Sequence, residues 1–215
     1  MGSMAGLTVK ERQHLAREDA IVETAHDILA EQGYEKMNMD DLAKRVGVAK
    51  ATLYQHFPSK EDVLVGVIVR LMRLGESQLF SEASADLSPL TQLDRGLRAC
   101  LNSRIQLWKG NVAMQNPMMI KSHPRYREQY NAMFERLTTL IEQAKAQGEI
   151  NPALITPVIV HTVMWLFRID YETLTHLPTC TAQQALDSLV TMVINGIKMP
   201  AILNAEPISP TPQTG

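Results

Sequence analysis

Apolar residues recur at helical spacing along most of this chain, and the polar positions between them mark where each helix starts and stops. Ile21, Val22, Ala25, Ile28 and Leu29 fall at i, i+1, i+4, i+7 and i+8, which predicts a helix over residues 17–32 closed by Gly33. Asn38 stands at an N-cap position, Asp40 and Asp41 occupy the first turn that follows, and Leu42, Ala43 and Val46 form a stripe, so a short second helix is expected. Gly47 permits a tight turn, and Val48, Leu53 and Phe57 begin a third stripe at once. Ser59 caps a longer helix with Asp62 three residues on, and Val63, Leu64, Val67, Ile68, Leu71 and Met72 carry it to about Ser81.

Further helical patterns run over residues 90–108, 124–147 (ended by Gly148), 152–175 and 181–199. Asn151 with Pro152 predicts an N-cap and a first-turn proline, and Thr181-x-x-Gln184 predicts a capping box. Strand-like alternation is absent. The predicted fold is therefore all-α, with about nine helices: a three-helix N-terminal unit over residues 15–62 and a larger helical body over residues 63–199. Residues 1–14 are expected to be a flexible arm, with Met1-Gly2-Ser3-Met4 read as an expression-vector remnant ahead of a native Met4. Residues 200–215 carry four prolines among small polar residues and are expected not to fold.

A chain of 215 residues with 45% hydrophobic content can bury a substantial core, which excludes disorder for most of it. The most apolar stretch, Ile155 to Ile169, has 10 apolar residues in 15 but includes His161, Thr162 and Arg168. It is shorter than the roughly 18–20 residues a bilayer span needs, so it reads as a buried helix. With no membrane segment and no charged-then-apolar leader, the expected location is the cytoplasm. Cys100 and Cys180 are too few and too far apart for a disulfide framework and read as reduced thiols.

Two short helices about a glycine turn read as a helix-turn-helix. On the second of them Leu53 and Phe57 lie four apart and face inward, which sets Lys50, Thr52, Tyr54, Gln55 and His56 on or beside the exposed arc. These side chains can bond phosphates and base edges. Residues 1–60 hold eight Lys/Arg against nine Asp/Glu, so bulk charge does not point to DNA. The distribution does, since residues 42–60 contain Lys44, Arg45, Lys50 and Lys60 and no acid.

Ala25-x-x-Ile28-Leu29-x-x-x-Gly33-Tyr34, Asp41-Leu42-Ala43, Gly47-Val48 and Thr52-Leu53-Tyr54-x-His56-Phe57-x-Ser59-Lys60 resemble the N-terminal domain of TetR-type repressors in order and spacing. The resemblance covers roughly residues 15 to 65 and spans three helices. It implies a regulator, a repressor, that binds a near-palindromic double-stranded DNA operator as a homodimer and is released by a small, largely apolar effector. By the same resemblance the DNA-contacting positions are Lys50, Ala51, Thr52, Tyr54, Gln55, His56 and Lys60, with Asn38 opening the preceding helix where the family often has a hydroxyl residue. Gln55 and Lys50 are the expected base readers, since Gln pairs with adenine and Lys with guanine. Tyr54 and Lys60 are expected on phosphates.

In the body, the resemblance implies a four-helix dimer interface made by the last two helices, which suits a helix apolar nearly all round at 155–169. Trp108, Met114, Met118, Phe134, Met164 and Trp165 are the expected wall of an effector cavity, because flexible methionine and aromatic side chains adapt to apolar ligands, and Arg168 is the candidate anchor for an acidic group. No cofactor and no metal is called for. Glu23-x-x-His26 lacks a second copy, and His176-x-x-x-Cys180 supplies two ligands where zinc wants three or four. A phosphate loop, a nucleophile elbow and a Ser/His/Asp set are all missing, which argues against an enzyme. The alternative reading is a DNA-binding protein of this fold without a small effector, acting through a protein partner or on nucleoid structure.

Overall fold

A computed structural model of the chain describes residues 6, 8–81, 86–107, 117–167 and 179–200, with the backbone alone for 103–107 and 117. Among the described residues there are nine helices: α1 (Val9–Lys36), α2 (Met39–Val46), α3 (Lys50–His56), α4 (Lys60–Leu79), α5 (Pro89–Leu107), α6 (Pro117–Ser122), α7 (Pro124–Ala146), α8 (Thr156–Leu166) and α9 (Ala182–Ile197). No strand accompanies them there, only an isolated antiparallel bridge between Ile150 and Lys198 that holds the end of α9 against the α7–α8 link.

The caps explain the boundaries. Thr8 and Glu11 form a full capping box, in which Thr8 N–H donates to the Glu11 carboxylate at 2.7 Å and the Thr8 hydroxyl accepts from Glu11 N–H at 3.2 Å. Helix α1 therefore starts at Val9, and the expectation of a flexible arm to residue 14 is corrected. Residues 9–16 carry too few apolar side chains to show a stripe, although the box itself was there to be read. Gly33, at φ 79° and ψ 171°, breaks α1 before its last three residues. Gly47 is left-handed (φ 77°, ψ 31°) and its N–H donates to Ala43 O at 3.0 Å, which ends α2 and turns the chain into α3.

Helix α8 starts at Thr156 rather than at Pro152. Asn151 spends its cap on an Asx turn instead, accepting from Ala153 N–H at 3.0 Å, and Pro157 becomes the first-turn proline. Helix α6, six residues long, lies below the length at which a stripe is visible.

Two buried clusters form the core. The N-terminal one unites Ile21, Ala25, Leu29, Leu42, Leu53 and Phe57 with Val63, Leu64 and Val67 of α4, and also takes in Ile120 of α6 and Tyr126 of α7. The head thus extends past residue 62 into the first turns of α4 and is buttressed by the α6–α7 corner. The second cluster packs α5, α7, α8 and α9 around Leu97, Leu137, Val160, Val163 and Val190. Tyr130 touches both clusters.

Polar contacts fix how α4 and α7 lie together. Buried Gln129 donates to Glu76 at 2.7 Å and accepts from Arg73 at 3.0 Å, while Arg136 binds the other Glu76 oxygen and stacks on Phe80. Arg98 of α5 bridges Asp94, Asp187 and Thr191, tying α5 to α9. Cys100 is buried, its Sγ donating to Gly75 O at 2.8 Å, and burial pushes its thiol up to about 12, so it stays protonated.

Candidate nucleic-acid interface

The α2–Gly47–α3 unit is held by apolar contacts on one side and leaves the other side of α3 open. Leu53 and Phe57 are fully buried and anchor α3 to α1 and α4. Lys50, Ala51 and Gln55 are exposed, Tyr54 is 40% exposed, and Thr52 is half-buried. A seven-residue helix cannot hold itself together in water, so α3 is rigid because of this anchoring. The exposed ridge is a fixed array of one cation, a phenol and an amide.

Lys50 is not idle in the absence of DNA. Its Nζ lies 2.7 Å from Asp40 Oδ1, and that hydrogen bond and charge raise its pKa. Asp40 thus holds the lysine stem across the α2–α3 turn. Asn38 uses its side-chain oxygen as the α2 cap, accepting from Asp40 N–H at 2.7 Å, so its amide oxygen is committed to structure. Lys60 donates to Glu35 O at 3.1 Å and lies 4.3 Å above the Tyr34 ring. The Tyr34 hydroxyl in turn donates to Glu61 at 3.2 Å, and burial followed by Glu61 raises its pKa to about 12.

His56 departs from the expected exposed arc. It is only 8% exposed and sits under α1, its ring stacked on His14 at 4.2 Å between centroids. Position 56 lies three residues after Leu53 and next to Phe57, so it turns with them toward the core. Burial, and then the neighbouring His14, push the His56 pKa down, against the opposing pull of Glu18. The structure therefore brings Lys50, Ala51, Tyr54 and Gln55 to one open face, with Thr52 at its edge, and takes His56 out of it.

The expected effector wall does not come together as one set in the described residues. Met164 is buried in the body core, with Phe134 packed partly buried against that core and 5.1 Å from the His161 ring. Met118 is 82% exposed and Trp165 60% exposed, so these two face outward and do not enclose an interior space. Trp108, Met114 and Arg168 lie outside the described residues, as does His176. Glu23 pairs with Arg70 at 3.3 Å and His26 with Asp27 at 3.4 Å, so the Glu23–His26 pair is not drawn together as metal ligands.

Exposed large apolar side chains occur on several elements, among them Val9 and Leu15 of α1, Leu74 of α4 and Met118 of α6, and some lie on α8 and α9. Ile155, Val158 and Trp165 follow one another along one side of α8, and Met192 is exposed on α9. Between head and body, Asp62 at the start of α4 pairs with His123 Nε2 at 3.0 Å; within the body, Tyr130 OH of α7 lies 3.2 Å from His161 Nδ1 of α8.

Residues 21–67 match the family model of bacterial regulatory proteins, tetR family. The HTH-type transcriptional regulator EthR of Mycolicibacterium smegmatis is 30% identical over 121 residues, 56% of this chain and 55% of that protein. The chain thus spans about half the length of that relative. The nucleoid occlusion factor SlmA of Vibrio vulnificus is 26% identical over 146 residues, 66% of this chain and 72% of that protein. Among solved structures, full-length TylP, a TetR regulator from Streptomyces fradiae, superposes with a TM-score of 0.65 at 20% identity, over 87% of this chain and 89% of that one. The ketosteroid transcriptional regulator KstR2 of Mycobacterium tuberculosis gives a TM-score of 0.56 at 20% identity, over 86% and 96%. These two share the fold.

Proposed function

We propose that this chain is a tetR-family regulator and not an enzyme, a cytoplasmic repressor that binds a near-palindromic operator as a homodimer, on the match of residues 21–67 to the family and the 30% identity to a transcriptional regulator. The observation that carries this reading is the α3 ridge, where Lys50, Ala51, Tyr54 and Gln55 stand exposed on a helix anchored by fully buried Leu53 and Phe57. Inserted in the major groove, Gln55 and Lys50 read base edges, and Tyr54 with Thr52 and Lys60 bonds phosphate oxygens. Lys50 exchanges Asp40 for a DNA acceptor, and Lys60 turns from Glu35 O to the backbone. Asn38 contributes by setting the entry of α2, and His56 by seating the end of α3.

One head touches too few base pairs to select a site in a genome, so two are required. The stripe Ile155, Val158 and Trp165 on α8, with Met192 on α9, supports a subunit face made by these two helices, because a second copy would bury it. The body then fixes the two α3 helices about 34–36 Å apart, one turn of DNA.

A small, largely apolar effector seated among Phe134, Met164 and neighbouring body residues releases the DNA. Control follows from differential affinity, with a coupling of typically about 1–3 kcal/mol that acts equally in both directions. Tyr130, which joins the two cores, and the Asp62–His123 pair give the body a grip on the start of α4. The similarity to a nucleoid occlusion factor favours a second reading, in which the same head serves a protein without a small effector.

The test is fluorescence anisotropy of the purified protein on DNA flanking its own gene, with sedimentation to count subunits. The reading expects a saturable complex with two protomers per site, weakened by an apolar effector. A monomer on DNA, or no preference for any site over random duplex, would overturn it.

A further inference from the structure

The stacked pair His14 and His56 has a third member. His14 and Glu18 stand one turn apart on the same face of α1, and that face covers the end of α3. His14 Nε2 lies 3.6 Å from Glu18 Oε1, His56 Nδ1 lies 3.8 Å from the same oxygen, and one donor atom from each residue falls within 4.8 Å of the other two. The His56 side chain is only 6% exposed and its Nδ1 has no hydrogen-bond partner. An unpaired buried ring nitrogen costs roughly 1–3 kcal/mol, and this one has only the Glu18 carboxylate at 3.8 Å and a second imidazole beside it.

We propose that His14, Glu18 and His56 bind a divalent zinc-type ion, which clamps the first turns of α1 onto the end of α3. Two imidazoles and one carboxylate make a three-ligand set that zinc accepts with water in the fourth position. Ligand atoms about 2.0–2.1 Å from a tetrahedral ion lie about 3.4 Å apart, so the two separations to Glu18 need to contract by a few tenths of an ångström, while the rings, stacked at 4.2 Å and 27°, must unstack for both in-plane lone pairs to meet the ion. The adjustment falls on His14, whose side chain is more than half exposed and free to rotate. Glu18 also accepts from Arg125 Nη2 at 3.0 Å, and a carboxylate has lone pairs enough for both. Arg125, paired with Glu18, and Arg17, whose charge is felt at His56, are two cations beside a cluster with a single carboxylate, and they work against a bound dication. A site rich in imidazole selects zinc, copper or nickel over magnesium, which takes oxygen ligands.

The experiment is calorimetric titration of the full-length protein, free of any histidine tag, with ZnCl2 and separately with MgCl2. The expected result is one zinc per protomer and no comparable binding of magnesium. His14→Ala and Glu18→Gln each alter a side chain outside the core and should weaken zinc binding by about tenfold or more, since even the outer-shell groups of metal sites cost about 10–100-fold. His26→Ala, on the same helix but away from the cluster, should bind as the parent does. The inference is overturned if zinc does not bind stoichiometrically, if His14→Ala binds zinc as well as the parent, or if magnesium binds as tightly as zinc.

Discussion

Gly96→Ala tests how closely α4 and α5 must approach to carry the head on the body. A Cβ at Gly96 would lie 2.4 Å from Leu79 Cδ1 and 2.7 Å from Leu79 Cα. Carbon atoms attract at about 3.5–4.0 Å, so the backbone contact is roughly 1 Å too short and a side-chain rotation alone cannot relieve it. The helices must part, and overpacking of this kind costs about 1–3 kcal/mol. Ala gains about 1 kcal/mol over Gly in a helix interior, which leaves a net loss of up to about 2 kcal/mol. Gly75, on α4 near the same crossing, is the control: its added Cβ would meet only Cys100 Sγ at an ordinary 3.6 Å, so Gly75→Ala should gain about 0.5–1 kcal/mol. Thermal unfolding at one protomer concentration reads both, at about 2–4 °C per kcal/mol for a chain of this size. A Gly96→Ala protein as stable as Gly75→Ala would refute the close approach of α4 to α5.

Three further outcomes are expected. Gln129→Ala removes the acceptor of Arg73 and the donor to one Glu76 oxygen, whose other oxygen keeps Arg136, and should lower stability by about 1–3 kcal/mol in urea titration, whereas an exposed glutamine would cost next to nothing. Asp62 is pushed up by burial, but its hydrogen bonds to Ser59 and His123 outweigh this and hold it below the ordinary range. It therefore stabilises the fold above the unfolded value of about 3.9, and that stability is lost as pH falls through the lower folded value. Asp62→Asn should accordingly flatten the melting temperature profile below about pH 4, and an unchanged acid limb would count against the pairing. On operator DNA, Tyr54→Phe should weaken all sequences alike, while Gln55→Ala should narrow the gap between cognate and random duplex. Equal loss everywhere from Gln55→Ala would remove it from the base-reading role.

The N-terminal fold was legible because its determinants are local. The caps at Asn38 and Ser59, the left-handed Gly47 and the stripe through Leu53 and Phe57 act over three or four residues and appear where the spacing puts them. The spacing of His56 from Leu53 and Phe57 left it on the margin between core and open face, and what decides its burial is α1 reaching back to Val9 and bringing His14 and Glu18 over the end of α3, some forty residues away in sequence. The start of α8 was misplaced because an Asn-Pro pair suits an Asx turn as well as a helix cap, and only the tertiary setting decides. Methionine and aromatic residues concentrated in the body could not be sorted by sequence into core, cavity wall and subunit face. Burial divides Met164 from Met118 and Trp165, which helical spacing alone does not.

The account stands on α3 lying in the major groove, and the direct measurement is binding to an operator duplex altered one groove at a time. Replacing guanine and adenine by their 7-deaza forms removes the N7 acceptors that Lys50 and Gln55 would use, whereas inosine for guanine alters the minor groove alone. The account predicts a loss of about 1–3 kcal/mol, roughly 5- to 150-fold, at each contacted position from the 7-deaza bases and no change from inosine. Binding that tolerates the 7-deaza bases but fails with inosine would contradict it.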